Sequence, residues 1–207
     1  MSRIKVDVNK YKYKDMYLRF TNDTNPSVCV GGVFDITNLI KIKKKGHSLN
    51  ALLCYCILKA GEKIDEFHYS IKEDGLYYYE HVKVNAVFKG RDDSLCYGSI
   101  KYVDTFSEFE KEYLRVKKYC YDNCSHYDDD FGSLLSTSAV VNYSFDSFGL
   151  SVSDTFWDNF LMWGKYVKKF MHTELKITLR FHHALIDGEH AGMFFNELQN
   201  QIKKLKL

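Results

Sequence analysis

The stretch Leu175-Lys176-Ile177-Thr178-Leu179-Arg180-Phe181-His182-His183-Ala184-Leu185-Ile186-Asp187-Gly188-Glu189-His190 decides the reading of this chain. Apolar and polar side chains alternate from Leu175 to His182, the period of a strand with one buried face. Gly188 closes that pattern. Met193, Phe194, Leu198, Ile202 and Leu205 then recur at the spacing of an amphipathic helix, with these five expected on its inner face. A strand thus gives way to a turn and then a helix. The turn region holds two adjacent histidines, an Asp-Gly pair and a third histidine within nine residues. Side chains at such a junction are held rigidly while one end stays open to a ligand.

A neutral imidazole, with its ordinary pKa of ~6.5, takes a proton from a hydroxyl or thiol near pH 7. Successive strand residues face opposite ways, so His182 and His183 are expected on different faces. That disfavours one metal ion held by His182, His183, Asp187 and His190. Asp187 can come back after the turn to brace local structure, or to fix an imidazole tautomer. The segment Cys120-x-x-x-Cys124-x-His126 offers three soft ligands but no fourth at a zinc-like spacing. No metal is expected. There is also no Gly-rich phosphate loop and no serine in a nucleophile elbow.

Working outward, Val28 to Thr37 reads as a strand, and Asp35-Ile36-Thr37-Asn38 opens a short helix. Gly31-Gly32 inside that strand marks a bulge or a close backbone contact. Lys41-Ile42-Lys43-Lys44-Lys45 precedes Gly46, a solvated helix end whose cations suit the dipole; a phosphate contact is the alternative. Ser48 caps a longer helix with Leu49, Leu52, Leu53, Cys56, Ile57 and Ala60 on its apolar face. His68–Ile71 and Leu76–Tyr79 flank an Asp74-Gly75 hairpin turn. Val82–Lys89 and Leu95–Val103 are further strands. Thr105 or Ser107 starts a helix whose inner side carries Phe106, Phe109, Tyr113, Val116 and Tyr119. Leu134–Phe145 is strand-like, and 156–170 is compatible with strand or helix. The elements mix without a regular β-α alternation. The expected fold is α/β, a two-layer sandwich of one mixed sheet with helices mainly on one side.

With 207 residues and 45% hydrophobic residues, a single domain spanning 1–207 is expected. The net charge of +2 gives no reason to propose nucleic acid or an anionic membrane as partner. The N-terminus lacks an apolar signal region, and no apolar run approaches the ~20 residues that span a bilayer. A cytoplasmic location is therefore expected, with the six cysteines reduced and acting as small buried hydrophobes.

The segment His182-His183-Ala184-Leu185-Ile186-Asp187-Gly188-Glu189-His190 resembles the His-His-x-x-x-Asp-Gly-x-His signature of the chloramphenicol acetyltransferase family. Lys5-Val6-Asp7, Asp35-Ile36-Thr37, Asp65-Glu66-Phe67 with the Lys72-Glu73-Asp74-Gly75 hairpin, Ser144-Phe145-Asp146-Ser147-Phe148, Lys165-Tyr166 and Asn196-Glu197-Leu198-Gln199 resemble family segments in the same order. The resemblance implies a homotrimer with active sites between subunits. It implies acetyl transfer from acetyl-CoA to a hydroxyl acceptor, chloramphenicol, by direct attack. His183 would be the general base, Ser147 the donor to the oxyanion, and Asp187 structural. Lys165 and Tyr166 would contact CoA, and Phe20, Val28, Leu95 and Met162 would line the acceptor pocket. The chain departs from the pattern at Tyr13, where the family has an arginine paired with the aspartate. Lys12 or Lys14 would then substitute, or Tyr13 would hydrogen-bond Asp187. Val28 replaces a phenylalanine, and Ser48 and Asn50 replace basic and aromatic CoA contacts. These departures favour two alternatives, another acceptor or a binding protein with little turnover.

Overall fold

The computed structural model describes residues 3–23, 25–128, 132–149 and 158–207. The chain opens with β1 (Arg3–Lys5) and a short helix α1 (Lys14–Phe20), which the sequence pattern did not announce. The strand β2 (Ser27–Asp35) follows. It ends two residues before the expected Thr37, because the Asp35 carboxylate accepts from the Thr37 backbone N–H at 2.9 Å and starts α2 (Thr37–Lys43). Gly46 then takes a φ of +106°, a left-handed conformation that suits glycine. Ser48 caps α3 (Leu49–Gly61) by accepting from Ala51 N–H. This helix is buried on nearly all sides rather than on one stripe.

The hairpin β3 (Tyr69–Lys72) and β4 (Gly75–Tyr79) turns at Gly75, whose φ is +138°. It pairs with β1 in a small sheet of order β1-β4-β3. The strands β5 (Val82–Lys89) and β6 (Leu95–Lys101) lead into α4 (Phe106–Asn123). Thr105 caps α4 and shares a capping box with Glu108, so Thr105 rather than Ser107 starts the helix. Then come β7 (Ser133–Ala139), β8 (Asn159–Trp163), β9 (Val167–Lys168), β10 (Thr173–His182) and α5 (Gly188–Lys204). The ambiguous stretch 156–170 therefore contributes two strands. The expected strand from Leu134 stops at Ala139, where the chain turns and Tyr143 N–H bonds back to Val140 O.

The main sheet runs β2-β10-β8-β7-β5-β6, with β9 on β10. Its pairs are antiparallel except β5–β7 and β7–β8, so the sheet is mixed. Register separates its two faces. Ile177, opposite Gly32 and Trp163, belongs to the apolar face. A methyl on Gly32 would meet the Phe195 ring of α5 at 3.2 Å, so Gly32 is a close-contact glycine in an unbulged strand. The same face carries Leu135 and Val82 against α3, and Gly98 against Val116 of α4. The helices thus lie on one side, as expected. The opposite face is polar, with Ser27, Cys29, Thr178, Arg180, His182, Ser136 and Asn85 among its residues.

Two expected inner-face residues point outward. Met193 is 48% exposed, because the buried stripe of α5 is His190, Phe194, Leu198 and Ile202, each four residues from the last. Tyr119 is likewise exposed, and Cys120 fills the stripe of α4. Cys54, Cys56, Cys96 and Cys120 are buried as expected, whereas Cys29 is exposed and Cys124 half-buried. Among the described residues no helix is long and apolar enough to cross a membrane.

Candidate active site

The end of β10 is fastened before the histidines arrive. His183 N–H donates to Pro26 O at 2.8 Å, and Leu185 N–H and Ile186 N–H both turn back onto His182 O. This tight turn places the His183 ring over its own loop. Its Nδ1 lies 3.1 Å from Ile186 O. A carbonyl oxygen only accepts, so Nδ1 carries the proton in the neutral ring and Nε2 keeps its lone pair. Phe20, the last residue of α1, stacks on the imidazole at 4.2 Å between centroids and 19° between planes. Arg19 lies against the Phe20 ring at 5.3 Å. The half-buried His183 therefore has a defined tautomer, a covered face and, among the described residues, a free nitrogen.

His182 takes the other face, as the strand period requires. It is 3% exposed, and its Nδ1 accepts from Ala184 N–H at 3.1 Å. Burial first, then the nearby Arg180 and His183, pull its pKa down to about 4. Its ring is consequently neutral at pH 7. Arg180, two residues earlier on the same face, is fully buried and donates to Ser27 Oγ and to Asp158 O. Nothing in the residue pattern announced a buried guanidinium; its placement on a polar sheet face was the available signal.

Asp187 is the N-cap of α5, where Oδ1 accepts from Glu189 N–H at 2.9 Å and from His190 N–H at 3.0 Å. The expected bond from Tyr13 to Asp187 is not what the structure has. The Tyr13 hydroxyl lies 3.1 Å from Glu66 Oε1 and 3.1 Å from His190 Nε2. Lys12 and Lys14 do not take the place opposite Asp187 either: Lys12 lies against the Tyr13 ring and Lys14 bonds Asn9. His190 stands between, with Nδ1 2.9 Å from Asp187 Oδ1 and Nε2 3.2 Å from Glu66 Oε1. Sequence spacing gave no sign of Glu66, which is 124 residues from His190.

Ser147 is exposed, and it lines a cavity of about 430 Å³ with Cys29, Gly31, Asp146, Lys176 and Thr178. Its segment is tied down on both sides, by an Asp146–Lys176 ion pair and by Phe148 packed on Phe160 of β8. Ile177 and Thr178 are five to six strand residues from His183, roughly 17–20 Å at strand rise. One chain therefore does not bring Ser147 to His183. Lys165 and Tyr166 are brought together with Ser48, Asn50 and Lys43 around a cleft of about 470 Å³. The Lys43 ammonium lies 5.5 Å from the Tyr166 ring. A neighbouring cleft that shares Tyr166 and Lys43 gathers Lys41, Lys44, Lys168, Lys169 and His172, so the basic run ends at a concave basic surface.

The four expected acceptor residues separate. Phe20 touches His183, and Val28 pairs with Phe181 beside it. Met162 pairs with Thr178, on the Ser147 side. Leu95 is 69% exposed at the start of β6, four strands from β10 and roughly 20 Å away across the sheet. The chain by itself does not place Leu95 near the imidazole. Among the described residues no three His, Cys, Asp or Glu side chains converge as metal ligands. Cys120 and Cys124 each face a backbone carbonyl, and His126 stacks on Tyr97.

A family model described as chloramphenicol acetyltransferase matches residues 1–199. Chloramphenicol acetyltransferase 2 of Escherichia coli is 24% identical over 205 residues, covering 96% of both chains. The chloramphenicol acetyltransferase of Clostridium butyricum is 25% identical over 202 residues, covering 94% of this chain and 92% of the other. A solved chloramphenicol acetyltransferase superposes with a TM-score of 0.84 at 21% identity, covering 97% of this chain and all of that one. A dihydrolipoamide acetyltransferase of Azotobacter vinelandii superposes with a TM-score of 0.68 at 18% identity, covering 92% of this chain and 86% of that one.

Proposed function

The chain belongs to the chloramphenicol acetyltransferase family, and from that premise we propose that it moves the acetyl group of acetyl-CoA onto a hydroxyl acceptor, chloramphenicol first, with His183 as general base. The observation that carries this reading is the bond from His183 Nδ1–H to Ile186 O, which leaves Nε2 free to accept a proton. Nε2 takes the proton of the acceptor hydroxyl as the oxygen attacks the thioester carbonyl. The tetrahedral intermediate collapses, the C–S bond breaks, and the proton returns from Nε2 to the departing CoA sulfur. Ser147 would donate to the oxyanion, a contribution of about 3 kcal/mol for one such donor.

His183 and Ser147 stand too far apart in one chain to act together. We therefore place the working site between copies, His183 of one facing Ser147 of the next, in a homotrimer acting in the cytoplasm as one domain per chain. The cleft at Lys165, Tyr166 and Lys43 has the cations and the aromatic ring to take the phosphates and the adenine of CoA. Phe20 and Val28 supply apolar wall beside the base for the acceptor.

The test is release of CoA thiol from acetyl-CoA in the presence of chloramphenicol. His183→Ala should lower kcat at least about 10²-fold, the usual scale for a general base. Full activity in that variant would overturn the assignment. A second reading keeps the transfer but changes the acceptor, and Val28 beside Phe181 favours it by leaving an aliphatic wall near the base. Turnover on other alcohols with none on chloramphenicol would select it.

A further inference from the structure

The Ile186–Asp187 peptide group is held from both ends. Its carbonyl accepts from His183 Nδ1–H. Its N–H, which belongs to Asp187, lies 3.3 Å from His190 Nδ1 and points at it. His190 therefore holds the same rigid plane that sets the tautomer of the catalytic imidazole, since a peptide group moves as a unit. From the other side of its ring, His190 Nε2 reaches the Tyr13 hydroxyl at 3.1 Å, and Tyr13 donates to Glu66 Oε1 at 3.1 Å. His190 and Glu66 are both buried.

With His190 protonated at Nε2, one assignment of protons runs through these contacts in a single direction. His183 Nδ1–H donates to Ile186 O, Asp187 N–H donates to His190 Nδ1, His190 Nε2–H donates to Tyr13 Oη, and Tyr13 O–H donates to the Glu66 carboxylate. Every donor in this series has an acceptor. Such a chain polarises its members in the same sense in a low dielectric. The groups facing His190 come from three places: Tyr13 before α1, Glu66 in the turn of helix at 65–68, and Asp187 at its own N-cap. A proton added to His190 Nδ1 would turn that atom toward Asp187 Oδ1 and take the acceptor away from the Asp187 N–H.

We propose that His190, Tyr13 and Glu66 are positioning residues, which fix the catalytic imidazole of His183 through the Ile186–Asp187 peptide plane. The proposal rests on His183 being the base. In this chain Tyr13 does that work by linking His190 to Glu66, without touching Asp187.

Three variants of the full-length enzyme test it, with kcat and both KM values measured separately. His190→Ala should lower kcat about 10²-fold, the effect of a roughly 1 Å displacement of a reacting group, while KM for acetyl-CoA stays within about twofold. His190→Asn places its amide oxygen near the position of Nδ1 and should recover most of that loss. Tyr13→Phe should lower kcat about fivefold, the loss of one hydrogen bond. Nitrogen-15 NMR of the histidines gives a readout independent of turnover: the wild type should show His183 protonated at Nδ1, and His190→Ala a mixture of tautomers. Should His190→Ala fail to fold, Tyr13→Phe removes one oxygen only and carries the test.

The proposal is overturned by wild-type kcat in a folded His190→Ala enzyme, by an Asn variant no better than the Ala variant, or by an unchanged His183 tautomer. His183→Ala separates the two levels. Activity surviving there refutes the base itself. Activity lost there, with His190 and Tyr13 variants unaffected, refutes only the positioning role.

Discussion

Acidification should unfold this protein earlier than its carboxylates alone require, and His182 is the reason. In the folded chain its ring is 3% exposed, its Nδ1 is occupied by Ala184 N–H, and burial with Arg180 nearby holds its pKa at about 4. In the unfolded chain the ordinary value of ~6.5 applies. The unfolded state therefore binds the proton first as pH falls. Stability from this residue is complete above pH ~6.5 and is lost progressively toward pH 4. A difference of about 2.5 pKa values at ~1.4 kcal/mol each gives about 3 kcal/mol in all, of which about 2 kcal/mol is gone by pH 5. The assay is urea unfolding at pH 7, 6 and 5 at one fixed protein concentration, comparing wild type with His182→Asn. The asparagine keeps a carbonyl for Ala184 N–H and does not titrate. Between pH 7 and 5 the wild-type midpoint should fall by about 1 M urea more than the variant's, taking a slope of ~2 kcal/mol per M. Equal falls in the two proteins would refute the buried neutral state of His182.

Two further outcomes follow from packing and charge. Gly98→Ala would put a methyl 2.2 Å from Val116 Cγ1, with Phe88 and Cys120 also close, so α4 must move off the sheet; the unfolding free energy should drop by about 1–3 kcal/mol, read from the urea midpoint. Lys43→Gln and Lys165→Gln should each raise the KM for acetyl-CoA about threefold at low salt. The difference from wild type should shrink at high salt, and kcat should be unchanged.

The motif at residues 182–190 was legible because its chemistry is local. The strand period placed His182 and His183 on opposite faces, and the turn that follows needs only neighbours in sequence to form. Capping was legible for the same reason: Ser48 and Thr105 each accept from an N–H three residues on. Inner faces were read less well. Met193 and Tyr119 each sit one residue from the true stripe, a rotation of about 100°, and a helix with many aromatics offers two plausible stripes. The short α1 had no pattern long enough to announce it, yet it delivers Phe20 to the imidazole. The partner of His190 was not legible at all. Glu66 and Tyr13 reach it across 124 and 177 residues, and only the folded chain puts those carboxyl and hydroxyl groups at hydrogen-bond distance.

The two faces of the sheet divide the labour of the molecule. One face is apolar and dry, and it packs against α3, α4 and α5. The other carries Ser27, Cys29, Thr178, Arg180 and His182, and above it the segment around Ser147 is pinned by Lys176 and Phe160. Both candidate catalytic side chains depend on β10, His183 at its end and Ser147 beside its middle. A strand is stiff, so no side-chain rearrangement closes the roughly 17–20 Å between them. In the homotrimer proposed above, a second copy would present its own Ser147 to the end of β10 and close that distance without moving either. On the proposed reading the residues that order the base and the residues that order the oxyanion donor never have to meet within one chain. That frees His190, Tyr13 and Glu66 to be organised entirely around His183.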